Sequence, residues 1–211
     1  MYIGGDATGK EYVARTIGDA MPAPAKLSLD AILDEAIELL RTEGLDAVTM
    51  RQLAERLGVE APSLYRHTGP KTRLISAMTL RLFRRQLDEV GESDSWRNWL
   101  DSFGRKLWST QAAIPDCARL VLSTDFTDPE LKVMTQWAAS ALCNHGIEPD
   151  RALAMTLSVQ AFVLGLSGLA DGPNAAQLRQ TLSFGSIFDT TLGVLIDGWA
   201  TRIAQDPAAS C

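Results

Sequence analysis

The sequence is poor in the residues that build catalytic and metal centres. In 211 residues there are two histidines, His67 and His145, and three cysteines, Cys117, Cys143 and Cys211. None of them clusters at metal-ligand spacing, which excludes a structural zinc site, and the cysteines are too few and scattered for a disulfide framework. No serine or cysteine has a His–acid partner set, so the sequence gives no support for nucleophilic catalysis. The expectation is a protein that is not an enzyme, with no cofactor and no metal. Sparse cysteine fits a reducing setting, and no basic start, apolar run and cleavage site opens the chain, so a cytoplasmic location is expected. Alternating apolar and polar runs are also missing, which argues against strands.

Positive charge is in deficit. Lys and Arg total 20 against 26 Asp and Glu, a net charge of −6, and the pI is near 5.0. The deficit is uneven. Residues 86–211 hold 8 basic and 15 acidic residues, whereas residues 49–85 hold 8 basic and 2 acidic, a local excess of +6. Salt screens fields over about 10 Å, so the local excess governs contact with a polyanion. The acidic total therefore leaves nucleic-acid binding open.

What is present is helical periodicity. Residues 1–25 are rich in Gly, Ala and Pro and read as an arm, with a short helix near Glu11–Ile17. From Ser28, Leu29, Ile32, Leu33, Ala36, Ile37 and Leu40 recur at three and four until Gly44. Thr49 and Gln52 have capping-box spacing and open a helix that runs to Leu57 and stops at Gly58. Pro62 starts a short third helix, and Thr68–Gly69–Pro70 punctuates before a longer one to Val90. Further helices are expected at about 95–113, 116–123, 128–145, 149–170 and 184–205. The chain reads as all-α, in three parts: an N-terminal arm over 1–25, a short helical domain over 26–75 and a longer helical domain over 76–211.

Two segments imitate other functions. Gly4, Gly9 and Lys10 approach a phosphate-binding loop, but Glu11 stands where Ser or Thr would hold magnesium, and only three residues precede the loop. The 19 residues from Ala152 to Ala170 carry no charge, close to the ~20 that span a bilayer. Thr156, Ser158, Gln160 and Ser167 interrupt the run and no basic flank follows, so a buried helix and no membrane are expected.

The stretch Thr49–Lys71 has the layout of a helix-turn-helix. Ala54 sits where two helices would cross. Gly58, four later, suits a left-handed turn, and Leu53, Leu57, Val59 and Leu64 form an apolar seam. Two core helices joined by a glycine turn would look similar, but the local basic excess favours a DNA-binding role.

Residues 28–82, about a quarter of the chain, resemble the DNA-binding domain of TetR-family transcriptional repressors. The resemblance rests on TMRQLAERLGVEAPSLYRHTGPKTRLI: a Thr at a helix start, Leu-Ala, Leu-Gly-Val, Leu-Tyr-x-His, and a Lys four after the His. It implies a homodimer whose third helix enters the major groove of a double-stranded, palindromic operator. Ala61, Pro62, Ser63 and Arg66 lie at or near that helix's start, where base edges are reached. Arg66 can fork onto a guanine. Arg51 matches a second base-reaching position. Thr49, Tyr65, His67 and Lys71 match phosphate-gripping positions, which orient without reading sequence. The family pattern has an aromatic after the His, where this chain has Thr68.

The second half is expected to dimerise and to sense a ligand. The uncharged 152–170 helix, with Ala161, Gly165 and Gly168, and the helix carrying Phe188, Thr191, Leu192, Leu195 and Trp199 are the dimer candidates. Trp99, Phe103, Trp108, Phe126, Met134, Trp137, Met155 and Phe162, with Cys117, could line an apolar pocket for a small apolar or aromatic effector, with His145 and Gln160 as polar anchors. Each is also an ordinary core residue for a helical domain. No constellation for a tetracycline–magnesium ligand is visible. The lever from pocket to DNA is expected at the junction between Val90 and Ser95. The leading reading is a ligand-released repressor. A helical small-molecule-binding protein or enzyme with an incidental helix-turn-helix is the alternative, and a redox sensor on Cys117 or Cys143 has no motif behind it.

Overall fold

The computed structural model describes residues 27–125, 127 and 129–205. Among them are ten α-helices, one 3-10 turn and no strand. The helices are α1 (Leu29–Glu43), α2 (Met50–Leu57), α3 (Ala61–Thr68), α4 (Lys71–Val90), α5 (Trp96–Ala113), α6 (Cys117–Leu122), α7 (Pro129–Cys143), α8 (Pro149–Asp171), α9 (Ala175–Thr181) and α10 (Phe184–Gln205); the 3-10 turn is Leu45–Ala47. The all-α reading and its long helices hold. The short helix expected near Glu11–Ile17 and the phosphate-loop mimic lie outside the described residues, as do Phe126 and Cys211.

Two cores sit side by side. The first gathers α1, α2 and α3. Ser28 accepts a hydrogen bond from the Ala31 N–H at 3.2 Å and starts α1, whose stripe of Ile32, Leu33, Ala36, Ile37, Leu39 and Leu40 is buried. Leu53, Leu64, Leu74 and Met78 close this core, and Ile114, Cys117 and Leu120 from the α5–α6 region join it. The second core is built around α8, which packs on α5, α6, α7, α9 and α10. Helix α4 serves both: Leu74, Ile75, Met78 and Leu82 face the first core and Phe83 the second. Its 20 residues span about 30 Å, and residues 75 and 76 lie within it without a break.

Stacked rings organise the second core. Trp99 stacks on Phe103 at 5.1 Å between centroids, and Phe83 meets Phe103 edge-on at 6.1 Å. Trp108 and Phe162 both stack on Phe188, at 5.1 and 6.1 Å. Gly104 lets α5 approach α10 and α8. A Cβ there would lie 2.8 Å from Leu192 Cδ1 and 3.1 Å from Val159 Cγ1.

Helix α8 is the one helix among the described residues that is long and apolar enough to cross a membrane by length and composition. Its contacts with five neighbouring helices are those of a core helix. Pro149 occupies its first turn, and the Glu148 carboxylate accepts from the N–H groups of Asp150 and Arg151 at 3.0 Å each. Those two bonds hold the Glu148 carboxyl below its ordinary range.

Three local expectations are revised. Gln52 does not reach back to the Thr49 backbone. It accepts the Thr49 hydroxyl at 3.0 Å, while the Thr49 N–H donates to the Ala47 carbonyl at 2.7 Å within the unanticipated 3-10 turn. Thr68 packs without an aromatic ring: it is buried, and its hydroxyl donates to the Leu64 carbonyl at 3.1 Å. Helix α9 lies between the helices expected at 149–170 and 184–205, where no element was expected, and Arg179 on it donates to the Ala170 carbonyl at the end of α8, at 2.6 Å.

Candidate nucleic-acid interface and interior cavity

The α2–turn–α3 unit is fixed by a few groups. Gly58 adopts φ 64°, ψ 33°, the left-handed region that costs glycine little. The Val59 N–H then donates to the Ala54 carbonyl at 3.0 Å. Ala54 is buried at the crossing, and Leu53 and Leu64 are fully buried beside it. On α3, Leu64 and Thr68 turn inward. Pro62, Tyr65, Arg66 and His67 are exposed, and Ala61 and Ser63 are half-buried. Tyr65 is half exposed. Arg66 Nη2 rests on Ser63 Oγ at 3.0 Å, lying along the exposed face toward the helix start. Arg51 is exposed in the first turn of α2 and Lys71 in the first turn of α4. The Thr49 hydroxyl accepts from the Gln52 N–H at 3.2 Å as the α2 cap.

Ion pairing sorts the cations. Arg56 pairs with Glu35 and Glu43, Arg81 with Asp30 and Asp34, and Arg85 with Asp34. Those carboxylates come from α1, outside the basic stretch, and cancel much of its excess. Arg84 lies over the Trp137 ring at 5.2 Å. Arg51, Arg66, Lys71 and Arg73 are exposed, and none has a carboxylate within 4.0 Å among the described residues. The cations left over are those on and beside α3.

A cavity of about 290 Å³ lies between α4, α5, α6, α7 and α8. Its walls are mainly apolar, with Leu82, Phe83, Leu107, Leu131, Met134 and Leu164, and its polar groups include Thr79, Gln86, Gln111 and Gln160. Gln111 is buried and its Oε1 has no hydrogen-bond partner. The Cys117 thiol is also on the wall, and burial pushes its pKa up to about 12.

Of the eleven residues expected to line the pocket, Cys117, Met134 and Gln160 line this cavity. Trp99, Phe103 and Met155 are buried in the second core, and Trp108 and Phe162 are stacked against Phe188. Trp137 is exposed under Arg84. His145 lies at a separate surface recess with Glu92 and Ser93. Phe126 lies outside the described residues. Most of the aromatic residues were drawn to one another, and apart from Phe83 the wall was left mainly to aliphatic, hydroxyl and amide side chains. Gln86 and Gln111 went unnoticed in the sequence. Their only mark is a lone amide on an otherwise apolar helical stripe.

The dimer candidates divide similarly. Phe188 and Leu192 are buried in their own second core, so they face inward. Ala161, Gly165, Gly168 and Leu169 on α8, and Gly193, Val194 and Gly198 on α10, are exposed. Leu169 and Val194 are 56% and 65% exposed, and no atom approaches within 4 Å of a Cβ built on Gly165 or Gly168.

The cavity region also touches the DNA-facing end. Asp116 precedes α6 with φ 57°, ψ 14°. Its carboxylate accepts from the Leu45 N–H at 2.9 Å. Arg119 on α6 forms a two-pronged pair with Asp46, with Nη1 to Oδ2 at 3.0 Å, and this holds the Asp46 carboxyl below its ordinary range. Both links join α6 to the 3-10 turn between α1 and α2.

A helix-turn-helix with an unneutralised basic face, set on an all-helical second core, defines a DNA-binding transcriptional regulator. Residues 32–78 match the family described as "Bacterial regulatory proteins, tetR family". The tetracycline repressor protein class A from transposon 1721 of Escherichia coli is 30% identical over 200 residues, covering 84% of this chain and 92% of that protein. The chain belongs to the TetR family of transcriptional regulators. The class E tetracycline repressor of Escherichia coli is 29% identical over 143 residues, 67% of each chain. Classes D and H align over only 56% of their own lengths. Among solved structures, a TetR variant from Acinetobacter baumannii AYE in complex with minocycline superposes with a TM-score of 0.70 at 27% identity, covering 84% of this chain and 98% of that one.

Proposed function

We propose that the protein is a ligand-responsive repressor. It binds a palindromic operator as a homodimer, and a small, largely apolar effector releases it. Pro62, Ser63 and Arg66 on α3, with Ala61, meet base edges. Arg51 reaches a flanking base, and Thr49, Tyr65, His67 and Lys71 grip phosphates. For Thr49 this requires its hydroxyl to turn from Gln52 toward the DNA. The partner copy packs against the exposed Ala161, Gly165, Gly168 and Leu169 of α8 and Val194 of α10, and the resulting symmetry matches two half-sites. The setting is the cytoplasm.

The observation that carries the reading is α4. The same helix presents Lys71 at its first turn and Thr79, Leu82, Phe83 and Gln86 to the cavity. A molecule that pushes on the cavity wall moves the helix on which α3 rests. On this reading the lever is the middle of α4 together with the Asp116–Leu45 link. A ligand shifts DNA affinity only as far as it discriminates between the two helix positions. The complex of the Acinetobacter baumannii TetR variant with minocycline supports a small-molecule ligand for the fold. Genomic fragments retained by the protein supply the operator, and anisotropy of labelled operator then reads its release. An operator bound with the same affinity under every small molecule that binds the cavity would remove the ligand-responsive part. Turnover of such a molecule would favour an enzyme with an incidental helix-turn-helix.

A further inference from the structure

We propose that the cavity takes a neutral, largely apolar molecule bearing a hydroxyl or carbonyl group, and that it needs no divalent metal to do so. This names the effector class for the ligand-responsive reading and rests on it. Three features of the wall carry it.

The first is charge. No Asp, Glu, Lys, Arg or His is among the residues lining the cavity. An ionised ligand would give up its water for a wall with no counter-charge, which is strongly unfavourable. The cations of the adjacent recess, which shares Leu82 and Gln86 with the cavity, are already occupied: Arg85 is held by Asp34 and Lys106 by Glu89.

The second is the donor set. Magnesium and calcium take oxygen ligands that include carboxylates, and zinc and nickel take imidazole or thiolate. The wall offers neutral amides, hydroxyls and the Cys117 thiol, whose burial keeps it protonated at neutral pH. Among the described residues no group of three His, Cys, Asp or Glu could hold a metal. The donors suit an organic molecule and not a metal chelate.

The third is Gln111. It is 4% exposed, it lines the cavity, and its Oε1 has no partner. Folded proteins leave few buried polar atoms unpaired, and an occupant with an O–H or N–H donor would satisfy this one. Gln86 and Gln160 place further amides on the same wall. Amides both donate and accept, so they separate a hydroxyl- or carbonyl-bearing molecule from a bare hydrocarbon. The volume of about 290 Å³ sits at the floor of the ~300–1,000 Å³ usual for small-molecule sites, so the occupant is compact.

The test uses four probes built on one ring system, on the full-length protein at neutral pH: naphthalene, naphthol, naphthoate and naphthylmethylammonium. Affinity is read by titration calorimetry or ligand-observed NMR, with magnesium chloride or with EDTA. Naphthol is expected to bind about tenfold tighter than each of the other three, equally in magnesium and in EDTA. Gln111→Leu should bring naphthol and naphthalene to similar affinities without lowering the melting temperature, since the change removes an unpaired buried amide. Gln86→Leu is the second variant and should narrow the same gap. Naphthoate or naphthylmethylammonium binding as tightly as naphthol, or binding that requires magnesium, would overturn the neutral, metal-free class while leaving a ligand-responsive regulator standing. A naphthol–naphthalene gap that survives both variants would overturn the role of the amides. Binding by none of the four would overturn the effector class and the cavity as sensor together.

Discussion

The Asp116 carboxylate accepts a hydrogen bond from the Leu45 backbone N–H at 2.9 Å, across 71 positions of sequence. Asp116 does so from φ 57°, the one non-glycine residue with positive φ among those described. Strain held in place by a specific contact points to a contact with a role. Replacing Asp116 with Ala removes the acceptor and leaves a Cβ-bearing residue in the left-handed region. We predict a loss of about 1–3 kcal/mol, read by chemical denaturation. Asn, which tolerates that region and keeps an acceptor, should cost much less. Equal losses for both would mean that the bond contributes little.

The exposed cations around α3 should separate into two kinds. Arg66→Ala or Arg51→Ala should relax base preference, by roughly 1–3 kcal/mol at one position of the operator. Lys71→Ala should weaken all sequences alike and reduce the salt slope by about one unit. Selection from a randomised operator library, repeated at several salt concentrations, distinguishes them. Unaltered specificity in both arginine variants would show that α3 does not read the groove as argued.

Two glycines should behave oppositely. Gly104→Ala drives a Cβ into Leu192 and Val159 and should cost about 1–3 kcal/mol by overpacking. Gly165 faces open space within its own chain, so Gly165→Leu should leave the fold of one chain intact and act on its pairing. Sedimentation should show dimer for the wild type and monomer for that variant. A wild type that sediments as a monomer at micromolar concentration would remove the proposed dimer.

The Cys117 thiol, pushed up to about 12 by burial, should resist alkylation by iodoacetamide at pH 8 in the folded state, while Cys143 is half-buried and more open to attack. Mass spectrometry of quenched samples gives the rates. Rapid, selective modification of Cys117 in the native protein would revive a redox-sensing role, because thiolate is the reacting form.

Acid should weaken the fold through Glu148. Two backbone N–H groups hold its carboxyl low in the folded state. The stabilisation is therefore present above the unfolded value of about 4.3 and is lost as pH falls through the folded one. The Asp46 carboxyl, held low by Arg119, acts in the same direction, whereas burial raises Asp171 and opposes it. Melting curves below about pH 5 should show a shallower acid decline for Glu148→Gln than for the wild type. Parallel declines would assign the acid sensitivity elsewhere.

Much of this molecule was legible in its sequence because its signals are local. The Thr49 cap, the Gly58 turn and the apolar stripe of α1 each depend on residues within a few positions. The exposed face of α3, with Pro62, Tyr65, Arg66 and His67, belongs to the same short motif. The cavity was not legible, because it is a remainder. Which ring stacks on which is settled by helix crossings such as that at Gly104, and no periodicity encodes them. Trp99, Trp108 and Phe162 found ring partners, so the space fell to Leu82, Leu131 and three glutamines. The Asp116 link was hidden for a related reason: the sequence sets Asp116 at the start of a helix over 116–123, and its partner Leu45 lies 71 positions away.

The sorting of ion pairs also gives the molecule an electrical orientation. Carboxylates from α1 neutralise Arg56, Arg81 and Arg85, and Arg51, Arg66, Lys71 and Arg73 remain beside α3, while residues 86–211 carry a surplus of acid. The chain is thus a dipole. In the field of a polyanion such a body turns as it diffuses, positive end first, and arrives with α3 leading. The acidic end is repelled, so the protein has few unproductive ways to adhere to nucleic acid. An acidic total charge, which at first argues against DNA binding, acts here as a device for aiming.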